Sequence, residues 1–294
     1  MKNFYVKGYN NLQLFCTEYA NVNNPKAVVL VIHGMQEHSG RYQEFARVLN
    51  SAGYIVVTSD SRGHGKTITN KSQYGFGQKD IYAETIQDQL NIIEYIKTTY
   101  PTLPIYLFGH SYGSMLGQKL IQVAPQLTKN ILCGTTYGNN LSYASGKVVA
   151  GILKLFGQDN KPASAIETLG IKAWGKKFEH GNWLSRDNSV FEKYNADPLC
   201  GGSFPISFYR SLFKHMTKVN KGIKNINKNN KILLIVGSQD PVSSGGKLVA
   251  KLHKTYLKHG LNSNLIIYPN ARHELINETN KQQVYNDIIN FYNN

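Results

Sequence analysis

Cysteine is scarce in this chain: Cys16, Cys133 and Cys200 are the only three in 294 residues. Three scattered thiols cannot build a disulfide framework or a four-ligand zinc site, so they read as core-filling side chains. No segment reaches the roughly 18 consecutive apolar residues needed to cross a bilayer. The opening stretch, Met1 to Gly8, carries no apolar core of signal-peptide length. A soluble, cytoplasmic protein is therefore expected. Internal repeats and low-complexity linkers are also missing, which excludes solenoids and tethered modules.

Acidic residues are few as well. Against 33 Lys+Arg stand 18 Asp+Glu, a net charge of +15. Such an excess favours anionic partners in general. Yet the lysines are spread along the chain, densest from Lys214 to Lys231, and no nucleic-acid-binding module accompanies them. Nucleic acid is thus not an expected partner, and the plain reading of the charge is a solvated basic surface.

Hydrophobic residues make up 41% of the chain, enough for a substantial core, and their order is informative. Leu12 to Tyr19 reads as a strand paired with Phe4 to Tyr9 across a turn at Asn10-Asn11. Ala27 to Ile32 is a continuous apolar, β-branched run, and Tyr54 to Thr58, Ile105 to Phe108, Lys129 to Thr135, Ile232 to Val236 and Leu265 to Tyr268 follow it. Helical stretches separate them, at about 40–52, 80–100, after Ser111, at about 243–259 and from about 280. Strand-helix alternation of this kind predicts an α/β fold with a mostly parallel central sheet flanked by helices. The rhythm lapses once. Residues 137–218 show short amphipathic pieces instead, with Val148, Val149, Ile152, Leu153 and Phe156 spaced for one helical face. The expected organisation is a core of residues 1–136 and 219–294 carrying an inserted helical cap over 137–218.

Gly109-His110-Ser111-Tyr112-Gly113 follows the Ile105 to Phe108 strand and precedes a helix. Gly-x-Ser-x-Gly in that setting forms a sharp turn that presents the serine hydroxyl, with glycines where side chains would clash. Ser111 could instead be an ordinary helix N-cap, a position serine favours. A serine nucleophile needs a base within hydrogen-bond reach and a third group to orient the base. Asp240 follows the Ile232 to Val236 strand and His273 follows the Leu265 to Tyr268 strand, so all three belong on loops at the C-terminal edge of one sheet. Asp240 also has a helix-capping reading, and Asp60, at the end of its own strand, is the rival acid. Of nine histidines, His273 is the one that comes after Asp240 in a loop closing a core strand. Two backbone N–H groups suit an oxyanion, those of Tyr112 beside the serine and of Met35 just past Ile32-His33-Gly34.

These motifs, His33-Gly34-Met35-Gln36-Glu37-His38-Ser39-Gly40-Arg41-Tyr42, then Asp60-Ser61-Arg62-Gly63-His64-Gly65, then the serine turn, resemble the monoacylglycerol lipase and lysophospholipase group of α/β-hydrolases. Trp183 to Asp187, Asp197 to Cys200 and Phe208 to Arg210 are similar to cap segments of bacterial members. The resemblance implies an α/β-hydrolase fold, a serine esterase with a mobile amphipathic cap over an acyl tunnel, and no cofactor. It places the triad on Ser111, Asp240 and His273 and the oxyanion donors on Met35 and Tyr112. One departure bears on the site: Gln36 stands where the group commonly has a small residue, often glycine.

The expected activity is hydrolysis of a single-chain lipid ester, a monoacylglycerol or lysophospholipid, through an acyl-serine intermediate. A short-chain or xenobiotic esterase and an S33-type peptidase share the same catalytic groups. A peptidase would use cap carboxylates to hold a substrate amine, and Glu167, Glu179 and Glu192 show no clustering in sequence. A non-enzymatic, receptor-like use of the pocket is the alternative outside catalysis. Lys147, Lys154, Lys172, Lys176 and Lys177 beside the amphipathic pieces suggest peripheral contact with anionic membranes, against the simpler expectation that the apolar face roofs the pocket.

Overall fold

Asn10 and Asn11 both take positive φ, 52° and 63°, and reverse the chain between β1 (Lys2–Lys7) and β2 (Gln13–Tyr19), which pair antiparallel with Lys7 opposite Gln13. Asparagine tolerates this conformation better than other side chains. The computed structural model describes residues 1–138 and 140–294, the side chains of Ile171 and Lys172 excepted. Lys172, one of the basic residues named above, thus lies outside the described side chains.

Six further strands complete one sheet: β3 (Ala27–Ile32), β4 (Tyr54–Ser59), β5 (Ile105–His110), β6 (Leu127–Cys133), β7 (Lys231–Gly237) and β8 (Asn262–Tyr268). Their spatial order is β1-β2-β4-β3-β5-β6-β7-β8. Every pairing from β4 through to β8 is parallel. Apolar alternation along the inner strands feeds two cores. Val28, Leu30 and Ile32 of β3, with Ile105 and Leu107 of β5, face one core. Val29 and Val31, with Tyr106 and Phe108, face the other. The sheet is therefore covered on both sides, as a parallel sheet must be.

The helices in chain order are α1 (Gln43–Ser51), α2 (Ile81–Thr99), α3 (Tyr112–Val123), α4 (Leu141–Leu155), α5 (Ser164–Glu167), α6 (Ala173–Gly175), α7 (Asn188–Ala196), α8 (Ile206–Met216), α9 (Lys247–Lys258) and α10 (Lys281–Asn293). α1 and α10 pack on one face of the sheet, and α2, α3 and α9 on the other. Among the described residues, the chain between β6 and β7 adds no strand to the sheet. It runs through α4 to α8, with one isolated bridge between Pro162 and Pro205.

Three local departures from the sequence reading have physical causes. β6 starts and stops two residues earlier than its apolar run, because Gly134 at φ 58° ends it. β8 begins at the polar Asn262 and not at Leu265: as an edge strand with one side open to water, it tolerates polar residues. α9 begins at Lys247 and not near Ser243, since Ser244, Gly245 and Gly246 all take positive φ. A fourth departure concerns α4. Val148, Val149, Ile152 and Phe156 are exposed, at 61%, 46%, 49% and 75%, so that face looks outward and does not roof the cavity described next. Leu153 alone of that set packs against the core.

Candidate active site

Ser111 sits between β5 and α3 with φ 50° and ψ −116°. A non-glycine residue held there stores on the order of 1–3 kcal/mol of strain, which persists only where the surroundings impose it. They do so here. A side chain at Gly113 would place its Cβ 2.1 Å from the Ile32 carbonyl oxygen, so only glycine lets the turn press against the end of β3. Ser111 occupies the N-cap position of α3, but its side chain caps nothing. The ordinary capping explanation for this serine therefore fails.

Asp240 lies on the loop after β7, fully buried. The Val242 N–H donates to its Oδ1 at 2.9 Å, an Asx-type turn that fixes the carboxylate and is not a helix cap, since α9 starts seven residues on. His273, on the loop after β8, donates its Nδ1–H to the same Oδ1 at 3.0 Å. That bond leaves Nε2 as the open lone pair of the neutral ring. Nε2 is buried without a partner, and His273 and Ser111 line the same cavity. Ser111 and His273 do not hydrogen-bond to each other among the described residues; in enzymes such a contact often forms only as substrate docks. Asp60, the rival acid, is engaged elsewhere: its carboxylate accepts from the backbone N–H groups of Ser39 and Lys66.

Tyr112 opens α3, so its N–H has no intrahelical acceptor. Met35 lies on the turn after β3, in the wall of the cavity. Its neighbour Gly34 leaves room that a Cβ would crowd, lying 2.6 Å from Glu37 Oε1 and 3.2 Å from Ser111 Cβ. The two turns carrying the proposed donors thus approach one another closely.

A network that the sequence reading overlooked stands behind them. Glu37 Oε1 accepts from the Gly34 N–H at 2.6 Å and from the Tyr42 hydroxyl at 2.8 Å. Arg41 bonds Glu37 Oε2 at 2.6 Å and grips Glu274 with two bonds of 2.8 Å. Arg41 therefore ties the Met35 turn to the loop carrying His273. Its signal in the sequence is the opposite charges of Glu37 and Arg41 at i,i+4, a spacing that otherwise marks a solvated helix face.

The electrostatics follow. Burial works against a charged His273, but the Asp240 carboxylate, by charge and by hydrogen bond, and the charges of Glu274 and Glu37 outweigh it and raise its pKa. His110, whose ring centroid is 4.9 Å from that of His273, is lowered to about 4 by burial and by His273. Burial also tends to raise Glu37, yet Arg41, His110 and His33 hold it well below the usual carboxylate range.

The cavity measures about 610 Å³. Its walls include Met35, Met115, Trp174, Phe178, Trp183 and Val242, and the Trp183 ring centroid lies 5.0 Å from that of His273. Its acidic wall residues, among those described, are Glu37 and Glu274, both already bound to Arg41. Of possible metal ligands, His38, Asp197 and Cys200 present atoms within 4.8 Å of one another. The Gly40 N–H, however, donates to His38 Nδ1 at 3.2 Å. The ring proton is therefore on Nε2 and is donated to Asp197 at 2.9 Å, so the lone pair a metal would need is not presented. Cys200 is half-buried, unlike the core-filling Cys16 and Cys133.

Comparison with known proteins now bears on this geometry. A family described as serine aminopeptidase, S33, matches residues 23–280. The chain belongs to this family. A monoglyceride lipase homolog of Monkeypox virus is 28% identical over 282 residues, covering 95% of this chain and 94% of the viral protein. The monoglyceride lipase of Homo sapiens is 27% identical, covering 90% of this chain and 81% of the human one. The solved structure of a highly thermostable carboxyl esterase from Bacillus coagulans in complex with glycerol superimposes with a TM-score of 0.91 at 26% identity, covering 99% of this chain and 97% of the esterase. The fold is the α/β-hydrolase fold, and the chain is a serine hydrolase. Among the described residues, no helix is long and apolar enough to cross a membrane.

Proposed function

We propose that this family member hydrolyses the ester bond of a single-chain lipid, a monoacylglycerol or a lysophospholipid, with Ser111 as nucleophile, His273 as base and Asp240 as the group that orients His273. The observation that carries this reading is the convergence on one apolar-walled cavity of a strained, uncapped serine and a buried histidine whose Nε2 has no hydrogen-bond partner. His273 Nε2 takes the Ser111 hydroxyl proton as the oxygen attacks the ester carbonyl, and the Met35 and Tyr112 N–H groups receive the oxyanion. Collapse returns that proton to the leaving alcohol. Water then attacks the acyl-Ser111 ester, with His273 as base again. Monoglyceride lipases among the relatives support the substrate class.

An amide-cleaving peptidase receives less support. Glu167, the buried carboxylate of segment 137–218, already accepts from Gln36, Ser203, Phe204 and Tyr209, and Glu179 and Glu192 are exposed. None is free in the cavity to hold an amine. Residues 137–218 serve in this reading as a lid over the acyl chain. The outward apolar face of α4, flanked by the exposed Lys147 and Lys154, docks that lid on anionic membrane surfaces.

A fluorophosphonate probe tests the nucleophile. Wild type is expected to be labelled and Ser111→Ala not, with hydrolysis of monoacylglycerols reduced by more than about 10³-fold. Equal labelling of the two proteins removes Ser111 from this role. A panel of monoacylglycerols, lysophospholipids, short p-nitrophenyl esters and aminoacyl amides tests the substrate, and dominant amide cleavage overturns it.

A further inference from the structure

Gln36 stands apart in the cavity wall. It follows Met35 directly, is only 5% exposed, and holds φ at 59°, a conformation that favours glycine. All of its side-chain bonding is directed at one place. Its Nε2 donates to Glu167 Oε1 at 3.0 Å and to the Gly202 carbonyl at 2.9 Å. Its own carbonyl accepts from the Gly201 N–H at 2.8 Å and the Tyr194 hydroxyl at 3.0 Å. Gly201 and Gly202 line the cavity with Gln36 and bring no side chains of their own, so the Gln36 side chain, with the Tyr194 ring bonded to its carbonyl, fills this corner. Glu167, in turn, is 6% exposed, and its four donors are Gln36, Ser203, Phe204 and Tyr209, none of them a cation.

We infer that Gln36 is a specificity-determining residue: its carboxamide, stretched between Glu167 and Gly202, closes the corner of the cavity beside the Met35 turn and restricts the site to esters unbranched next to the carbonyl. The inference rests on the reading of Met35 as an oxyanion donor, which puts the ester carbonyl one residue from Gln36. The backbone bonds to Gly201 and Tyr194 do not need the side chain. Trimming it therefore widens the corner while the segment stays attached, and glycine at φ 59° relieves strain.

The test compares kcat/KM for p-nitrophenyl butyrate with that for the branched p-nitrophenyl isobutyrate and pivalate. In Gln36→Gly the branched-to-linear ratio is expected to rise by about tenfold, mostly through KM, the scale set by one or two methylenes in a pocket. Gln36→Asn, which accepts positive φ but is one methylene too short to span both partners, is expected to raise the ratio in the same direction and serves if the glycine variant does not fold by thermal melting. Gln36→Glu sets two carboxylates face to face, leaves the Gly202 carbonyl without its donor, and is expected to lose activity on the linear ester. An unchanged ratio in folded Gln36→Gly or Gln36→Asn overturns the inference. Failure of the parent reading looks different: wild type would then release no more p-nitrophenol than Ser111→Ala.

Discussion

His273 has Asp240 on one ring nitrogen, and Glu274, the next residue, carries a charge that Arg41 only partly offsets, since Arg41 serves Glu37 as well. A base must be neutral to accept the serine proton, so a pKa raised above the ordinary 6.5 moves the acid limb of the kcat/KM profile to higher pH. Activity is expected to climb as pH rises through that value. Glu274→Gln removes one of the charges that raise it, and its acid limb is expected to shift towards lower pH. A limb that stays in place or moves up excludes Glu274 from tuning His273. Asp240→Asn is expected to lower kcat by about 10⁴-fold, because the ring is then held in the wrong tautomer; a loss below tenfold in steady-state kinetics argues against Asp240. Ser111, Asp240 and His273 stand out in the sequence because each lies on a loop shortly after an apolar strand, and the C-terminal edge of a parallel sheet collects such loops; the structure joins Asp240 to His273 by a hydrogen bond and lines one cavity with His273 and Ser111. Glu37, Arg41 and Glu274 do not stand out. Charged residues read as surface until the fold shows them buried against one another.

Elements were legible wherever burial on both sides enforces a continuous apolar run, as in β3 and β5. They blurred where one side meets water, as at the polar start of β8, or where positive-φ residues delay a helix, as before α9. The amphipathic α4 was legible as a helix, but period alone cannot say which way its stripe points, and the stripe with Val148, Ile152 and Phe156 points out. Leu141 and Leu155, at 83% and 85% exposed, extend it. Membrane insertion of each such side chain is worth about 1.5–3 kcal/mol at full burial, against about 1 kcal/mol for each lysine near an anionic surface. In the proposed docking, the apolar face therefore contributes more than the two lysines do. Val148→Asp with Ile152→Asp is expected to reduce co-sedimentation with anionic vesicles more than Lys147→Ala with Lys154→Ala does. Equal binding of wild type to neutral and anionic vesicles would rule out any charge contribution.

For the molecule as a whole, composition read the excess of basic charge but not the titration of the interior, which depends on which histidines are walled in. His33, His64 and His110 are buried within or beside the motifs that frame the site. His33 donates Nδ1–H to the Gly34 carbonyl and accepts the Ser61 N–H at Nε2, an arrangement only the neutral ring satisfies. Burial lowers all three, His64 to about 3 and His110 to about 4. In the unfolded chain each titrates near 6.5, so below that pH the unfolded state binds more protons and stability falls as pH falls. His273 has the opposite sign: its raised pKa adds stability as pH drops through it, complete by about 6.5. Once the unfolded histidines are mostly charged, His64 and His110 alone give a slope of up to about 3 kcal/mol per pH unit. A domain of 5–15 kcal/mol total stability loses a large part of it between pH 6.5 and 5. Urea denaturation is thus expected to show a midpoint that falls steeply over that interval, well before carboxylates such as Glu37 and Asp197, held low by their partners, begin to protonate. A midpoint that holds constant from pH 7 to 5 would mean that these rings carry their protons inside the folded protein, and the neutral hydrogen-bonding scheme around His33 would have to be redrawn.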